Sequence, residues 1–474
     1  MKIVGREYEK DYISRILQSG RPEFVVVYGR RRIGKTYLIK EYFKGKFSFY
    51  STGVPNTKSR DQLKVFHEAL TEFGCRENKI PENWFEAFRR LKFVLNSEHV
   101  YRDPASGRRV VFLDELPWMD TARSDFKSAL DYFWNSWASS QEDLVLIVCG
   151  SATSWIIKNL LQSTGGFYNR VSRKIRILPF TLAECEKFYT ENGIPLSESE
   201  MISAYMVFGG IPYYLNLLDS RLSLAQNIES LCFREYGELY FEYDNLFQSL
   251  FKKCETHTAI IDALTEKKSG IARKELIGHK GISDGEGLSK ALTELEQCGF
   301  IRKYQNFRCE KNEGIYQVTD PFILFSKYIR SRKINSWMSF IRTPAYNAWS
   351  GNAFETVCFN HIPQIKNILG ISGIESSEYA WRSRKTDPGA QIDMLIDRSD
   401  GVINVCEIKY YGEEFAIDGV YEKILNNKLD SFAAESGTKK SLHLTFITAN
   451  GLLHNEHAGI VINEITGRDL FKRM

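Results

Sequence analysis

Two stretches of this chain combine residue types and spacings that could do chemistry. The first is FVVVYGRRRIGKT, from Phe24 to Thr36, in which Gly29 and Gly34-Lys35-Thr36 satisfy the spacing G-x-x-x-x-G-K-[ST]. Two glycines let the backbone curl so that its N–H groups face a polyphosphate. Lys35 supplies a point charge for the β- and γ-phosphates, and Thr36 brings a hydroxyl for Mg²⁺ as the next helix opens. Arg30, Arg31, Arg32 and Ile33 fill the loop, and Tyr37 follows it. A second acidic element, Val110-Val111-Phe112-Leu113-Asp114-Glu115, is an apolar run ending in two carboxylates. Asp114 is suited to hold Mg²⁺ through water or the Thr36 hydroxyl, and Glu115 to polarise an attacking water. Ser151, after the run Leu144 to Cys149, is placed to sense a γ-phosphate, as is Thr153; Gly-Ser after a strand is equally ordinary turn chemistry.

The other chemical stretch lies near the C-terminus. Gln391 to Ile396 and Val402 to Lys409 read as two strands joined by the turn Ser399-Asp400-Gly401. If Arg398 faces Val402, Asp393 falls opposite Glu407, and Lys409 shares the face of Glu407 because side chains alternate. One residue of slip would break that alignment. Two acids and a lysine on otherwise apolar strands are costly to bury. The carboxylates could bind Mg²⁺ while Lys409 orients a water for phosphodiester attack, with Glu355 on the preceding helix GNAFETV as a further oxygen ligand. An exposed edge with alternating charge is the competing reading.

The elements that must position these groups follow from periodicity. Residues 24–28, 47–50, 110–114, 144–150 and 173–179 are short β-like runs separated by amphipathic stretches such as Gln62 to Leu70 and Phe126 to Trp137. Strands alternating with helices argue for an α/β fold with a parallel sheet. From Thr181 to about Phe251 the pattern is helical. Helical stretches near 257–265, 272–279 and 286–298 then precede β-like runs at Phe300 to Phe307 and Gly314 to Val318, the order of a winged helix-turn-helix. Residues 331–349 are mixed and basic, as in a linker. From 350 onward a helix at Ala353 to Ile362 leads to strand pairs and a last strand, Leu442 to Thr448.

With 474 residues the chain is too long for one core. A net charge of +4 gives no global nucleic-acid footprint, so any such contact must be local, at Arg30 to Arg32, Arg170 to Arg176, Arg330 to Lys333 or Arg382 to Lys385. Nine irregularly spaced cysteines without a C-x-x-C pair read as buried thiols such as Cys149 and Cys406, not as a zinc site. No apolar segment reaches membrane-spanning length, and the charged start MKIVGREYEKDY is unlike a secretory signal, so a cytoplasmic protein without membrane contact is expected.

GRRRIGKT, FLDELPWMD, CGSATSW, LPFTLAE and GGIPYYL, in this order, resemble the AAA-related archaeal-type ATPases, close to the STAND class of signalling P-loop NTPases. The inserted run Phe47 to Tyr50 fits the branch of that superfamily that carries its own catalytic glutamate. The resemblance implies an ATP site in which Gly5 and Arg6 of IVGREYE lie near the adenine and Pro212 of Gly210-Ile211-Pro212 sits in a helical lid near base or ribose. Arg170 matches an arginine held ahead of the last core strand, acting in cis, in trans or only by packing. GNAFE, GAQIDMLI and CEIKYY resemble a PD-(D/E)xK nuclease-like domain of unknown function often appended to these ATPases. Its triad carries over as Asp393, Glu407 and Lys409, with Glu355 as the helix acid; Gln391 stands where many relatives have an acid.

The expected organisation is a P-loop ATPase core at 1–180, a helical lid at 181–252, a winged helix-turn-helix at 253–330, a linker at 331–349 and an α/β PD-(D/E)xK nuclease-like domain at 350–474. The would-be recognition helix, Asp284 to Glu296, is acidic and would repel phosphate, so the winged helix is expected to dock other domains or a protein partner. Nucleic acid would meet its wing at Arg302, Lys303 and Arg308, or the C-terminal domain. One function expected is an ATPase, with ATP and Mg²⁺ as cofactors, whose nucleotide state controls a Mg²⁺-dependent nuclease-like domain. The rival is a nucleotide-dependent switch whose C-terminal domain only binds nucleic acid or protein. A ring-forming remodelling motor is a third reading.

Overall fold

The apolar run before the phosphate-type loop forms strand β1 (Glu23–Tyr28), buried along nearly its whole length. The computed structural model describes residues 3–162, 169–248, 250–251, 254–267, 270–307, 314–383 and 390–473. Arg308, and residues 384 and 385 of the basic stretch that starts at Arg382, lie outside the described residues. The chain divides into two compact units, Met1–Leu178 and Pro179–Met474.

The first unit is an α/β layer structure. Helix α1 (Glu7–Leu17) precedes β1, and α2 (Lys35–Tyr42) follows it; β2 (Phe49–Thr52), α3 (Ser59–Glu72), α4 (Trp84–Leu95) and β3 (Arg109–Asp114) come next. The short α5 (Leu116–Met119), α6 (Phe126–Ser136), β4 (Leu144–Gly150), the one-turn α7 (Thr153–Ile156) and β5 (Arg173–Arg176) complete it. All five strands run parallel in the order β2-β3-β4-β1-β5. β3 and β4 are buried along every residue, the signature of a parallel sheet covered on both faces. One face carries a dense aromatic core in which Trp84 meets Phe126 at 4.8 Å and Phe88 meets Phe133 at 5.2 Å.

Two strands differ from their sequence expectation. β2 starts two residues late, because the Ser48 hydroxyl takes over the pairing role and accepts from the Val110 N–H at 2.8 Å. β5 stops at Arg176, short of 179; Ile177 still donates to the Tyr28 carbonyl at 2.8 Å, and Pro179 then has no N–H to continue a ladder.

The second unit opens with helices α8 (Leu182–Glu191), α9 (Glu198–Phe208), α10 (Pro212–Leu215), α11 (Leu224–Phe233) and α12 (Glu242–Gln248). Capping boxes at Thr181, Ser197 and Ser223 start three of them. α13 (Glu255–Glu266), β6 (Ile271–Ala272), α14 (Arg273–Leu276), α15 (Glu286–Gln297) and the hairpin β7 (Ile301–Asn306) and β8 (Gly314–Val318) follow. Then come α16 (Pro321–Ser331), α17 (Trp337–Phe340), α18 (Pro344–Asn360), α19 (Ile362–Ile368), β9 (Ser376–Arg382), β10 (Gln391–Arg398) and β11 (Val402–Lys409). The chain closes with β12 (Phe415–Ala416), α20 (Gly419–Ser436), β13 (Ser441–Thr448), β14 (Leu452–Leu453) and β15 (Asn463–Thr466).

Two features of this unit were not legible beforehand. The hairpin does not stand alone: β7 pairs in parallel with β9, giving one eight-stranded sheet ordered β15-β13-β11-β10-β9-β7-β8-β6. And the stretch 331–349, expected as a linker, is packed. Trp337, Phe340 and Trp349 are buried, Trp337 stands at 88° to Trp349 with centroids 5.4 Å apart, and Glu229 accepts from the Trp337 N–H at 2.7 Å. Aromatic burial outweighs the basic composition that suggested a linker.

A wholly buried histidine ties the helices to the sheet region. The Nε2 of His361 accepts from the Leu182 N–H at the start of α8 (2.9 Å), and Nδ1 donates to the Val357 carbonyl (2.7 Å). These partners select the neutral ring, and burial pulls its pKa from 6.5 down to about 4 despite the Val357 carbonyl. Between those values the unfolded chain binds the proton and the native one does not, so stability falls as pH drops from about 6.5 to about 4, by on the order of 3 kcal/mol in all. His361→Gln, which retains an acceptor and a donor, should lower stability at neutral pH yet flatten this acid loss. Urea midpoints measured across that range test it; an unchanged pH slope in the variant would show that His361 is not the titrating group.

Candidate functional site

The first site forms where β1, β3 and β4 end side by side. The loop after β1 needs its two glycines for different reasons. At Gly29, φ is 144° and a Cβ would lie 2.3 Å from the Ile177 carbonyl oxygen, so the position has no room. At Gly34 nothing lies within 4 Å, but φ is 82° at the N-cap of α2, a left-handed conformation that only glycine adopts cheaply. Lys35 is buried, and its Nζ donates to the carbonyls of Gly29 (2.9 Å) and Arg30 (2.8 Å), which hold the ammonium within the curl of its own loop. Arg30 and Ile33 are buried, Arg31 and Tyr37 are exposed, and Arg32 takes a left-handed φ of 70°.

Arg6 braces this loop from α1. It is buried, with φ 58° directly after Gly5 at φ 66°, and its guanidinium donates to the Ile33 carbonyl at 3.2 Å. The sequence segment IVGRE is thereby brought to the phosphate-type loop.

Thr36 donates to Asp114 Oδ1 at 3.0 Å, joining the start of α2 to the end of β3. Burial and the neighbouring Glu115 push the Asp114 carboxyl above its usual range, against hydrogen bonds from Thr36 and the Glu115 N–H and the charge of Lys40. Glu115 follows in a left-handed conformation, φ 45°, pressed by Gly53, where a Cβ would meet the Glu115 carbonyl oxygen at 2.5 Å. Ser151 at the end of β4 clamps the Glu115 carboxylate: its hydroxyl lies 3.0 and 2.9 Å from the two oxygens and its N–H donates at 3.3 Å. A backbone curl, a buried lysine, and a hydroxyl bonded to a carboxylate are the donor set that a Mg²⁺-nucleotide requires, so these residues fit that group. Thr153 is wholly buried at the start of α7. Arg170 is exposed, three residues before β5.

Pro212 lies in the second unit, at the first turn of α10. There the motif serves close packing. A Cβ on Gly210 would lie 1.9 Å from the Phe180 carbonyl oxygen, Phe180 donates to the Gly210 carbonyl at 2.6 Å, and Gly209 abuts Pro321.

The second site lies on β10 and β11. Met394 faces Cys406 and Asp397 faces Ile403, the register that the Ser399–Gly401 turn implies. Asp393 Oδ2 accepts from the Ile408 N–H at 3.0 Å. Glu407 is buried with donors on both oxygens: Lys409 Nζ (2.8 Å) and the Tyr421 hydroxyl (2.5 Å) contact Oε1, and Lys428 Nζ donates to Oε2 at 2.7 Å. Burial raises the Glu407 carboxyl, but the two lysines outweigh it and leave it below the usual range. Asp393 moves the other way, to about 6, from burial first and then the charge of Glu407.

Tyr421 and Lys428 were missed from the sequence. They sit seven residues apart on α20, two turns along one face, a spacing that becomes informative only once the helix is known to cover β11. Glu355 on α18 lines, with Asp393, Gln391, Tyr304 and Lys267, a cavity of about 260 Å³. Among the described residues no three His, Cys, Asp or Glu side chains gather into a metal cage. A Mg²⁺ at Glu355, Asp393 and Glu407 would therefore have to compete with Lys409 and Lys428 for the Glu407 carboxylate. Of the wing cations, Arg302 is engaged within the fold: it bonds Gln317 (3.0 Å), lies 3.6 Å over the Phe359 ring, and burial lowers its pKa to about 10, whereas Lys303 is exposed. On α15, Glu294 is engaged by His257 at 2.8 Å, while Glu286 and Glu296 are exposed.

Residues 3–218 match the family model described as an ATPase domain predominantly from Archaea. An uncharacterized protein of Methanocaldococcus jannaschii is 25% identical over 329 residues, 68% of this chain and 67% of that one. An uncharacterized ATP-binding protein of the same organism is 37% identical over 43 residues, 9% of this chain and 73% of its own. Among solved structures, a Walker-type ATPase of Pyrococcus abyssi is similar over 69% of this chain and 96% of its own, at 19% identity and a TM-score of 0.49. The ORC2 protein of Aeropyrum pernix, in ADPNP-ADP complexes, covers 70% and 96% at 13% identity and a TM-score of 0.44. No helix among the described residues is long and apolar enough to cross a membrane.

The raised pKa of Asp393 carries a stability consequence. Its folded value lies above the unfolded 3.8, so the native state binds the proton more tightly, and stability is lost as pH rises from about 4 through about 6. Asp393→Asn keeps an acceptor for Ile408 without the charge. It should be more stable than the parent by on the order of 2 kcal/mol at pH 7.5, with the difference vanishing near pH 4. Thermal melts at both pH values check this; a variant less stable at pH 7.5 would contradict it.

Proposed function

We propose, from an N-terminal region at residues 3–218 that belongs to the ATPase family predominantly from Archaea, that this chain binds and hydrolyses ATP at the loop Gly29 to Thr36. The observation that carries this reading is the chain of contacts from Thr36 to Asp114 and from Ser151 to Glu115 at one sheet edge. The loop N–H groups and Lys35 would bind the phosphates, with Arg6 bracing the loop. Thr36 and Asp114 would hold Mg²⁺, which neutralises phosphate charge when bound. Glu115 would take the proton of the attacking water, its carboxylate oriented by Ser151. Arg170 and Pro212 keep their proposed places near the nucleotide on resemblance alone.

For the second unit, the proposed role is a nuclease-like centre at Asp393, Glu407 and Lys409 under the control of nucleotide state. The strand order around β9 to β13 and the triad on β10 and β11 support that assignment, as the helix-hairpin order of 255–318 supports a winged helix. Mg²⁺-dependent cleavage is one form of this reading. The other is a switch in which the unit binds nucleic acid or protein without cutting, and the engagement of Glu407 by Lys409, Lys428 and Tyr421 favours it.

Lys35→Ala should abolish ATP binding in calorimetry. Glu115→Gln should bind ATP normally and release phosphate about 10²–10⁴-fold more slowly, the range for loss of a general base. Parental turnover in Glu115→Gln would sink the assignment of the base. Cleavage of a labelled oligonucleotide that disappears in Asp393→Ala would restore the Mg²⁺-dependent reading over the switch.

A further inference from the structure

Glu407 receives side-chain donors from two elements: Lys409 of its own strand, and Tyr421 and Lys428 of α20. Its side chain is 3% exposed, and those of Lys409 and Lys428 are 30% and 17% exposed. A divalent cation such as Mg²⁺ binds a carboxylate oxygen at about 2.0–2.1 Å and needs a lone pair free for it. Here Oε2 accepts from the Lys428 ammonium at 2.7 Å and Oε1 from Lys409 and the Tyr421 hydroxyl, so a cation approaching either oxygen meets an ammonium already bound there. Asp393 and Glu407 are balanced by Lys409 and Lys428, so the quartet closes to zero net charge when both acids are ionised. A dication added beside Glu407, whose side chain is 3% exposed, would meet the two ammoniums already within 2.8 Å of that carboxylate, and like-charge repulsion opposes it.

We propose that Lys428 takes the place of a divalent cation at this centre, so that the Asp393–Glu407 pair is neutralised by the protein itself and is closed to Mg²⁺. The inference rests on the nuclease-like reading of Asp393, Glu407 and Lys409. It deepens that reading by assigning α20, through Lys428, the charge that the metal would supply. Lys428 is a positioning residue: it acts through Glu407, and Tyr421, two turns earlier on the same helix, fixes the other oxygen.

Manganese binding to the nucleotide-free full chain, followed by the loss of the free-ion electron paramagnetic resonance signal, tests it. Background uptake by the nucleotide site is removed with Asp114→Asn in every arm. The parent should bind no ion that depends on Glu407. Lys428→Met should gain one ion, at least about tenfold tighter than any parental uptake, and Lys428→Met/Glu407→Gln should lose it. Lys428→Gln serves as a second, polar variant should the methionine form fail to fold. A Glu407-dependent ion already present in the parent overturns the inference, and so does the absence of any gain in both folded Lys428 variants. Anisotropy of a labelled single-stranded oligonucleotide separates this from the underlying reading: unchanged affinity in Asp393→Ala/Lys409→Ala removes the nuclease-like reading whatever manganese does.

Discussion

The parallel pairing of β4 between β1 and β3 is the constraint on which the chemistry of the first unit depends. Because the three strands point the same way, their C-terminal ends deliver the loop of Gly29 to Thr36, the Asp114-Glu115 pair and Ser151 to one edge. Contacts spanning 78 and 36 residues of sequence then become single hydrogen bonds, Thr36 to Asp114 and Ser151 to Glu115. Backbone sterics fix the rest. Gly29 has no space for a Cβ against Ile177, and Glu115 sits in a left-handed turn beside Gly53. Such conformations persist only where surrounding structure over-determines them, and here the backbone after β2 and after β5 supplies the close contacts.

In the second unit the corresponding constraint is the β7–β9 pairing. It turns a hairpin that could have stood free into the continuation of the sheet carrying Asp393 and Glu407. Arg302 on β7 lies over Phe359 of α18, and the cavity beside Asp393 takes Tyr304 from β7 and Gln317 from β8 as walls. The helix-hairpin segment is therefore part of the charged site's surroundings. His361, accepting from the first turn of α8, links the helical segment to α18 in the same way.

What the sequence made legible follows the range of the interactions involved. The phosphate-type loop, the acidic strand end and the β10–β11 register depend on local spacing and turn chemistry, and Ser399-Asp400-Gly401 set that register within a dozen residues. Illegible features were those decided by distant partners. Tyr421 and Lys428 acquire meaning only from Glu407, the stretch 331–349 becomes packed only because Phe325 and Glu229 meet it, and Arg302 looked basic and surface-bound until Phe359 covered it. Net hydrophobicity and charge runs report a residue's type; partners set its role.

The two acidic pairs of this chain show how far that principle reaches. Asp114 and Glu115 are adjacent in sequence, and Asp114 is driven above its usual range by burial and by Glu115, with Lys40 offsetting it only in part. An acidic pair left short of countercharge gains from a dication, and the Thr36 hydroxyl already bonded to Asp114 supplies a neutral oxygen beside it. Asp393 and Glu407 are apart in sequence but share one pair of lysines, and their carboxyls shift in opposite directions because the ammoniums sit on Glu407 and not on Asp393. That arrangement already holds its compensating charge in place, fixed by α20. Identical functional groups on buried strands thus meet different surroundings, a hydroxyl and a distant lysine at Asp114 and two anchored ammoniums at Glu407, and the difference lies in where the nearest cations are held.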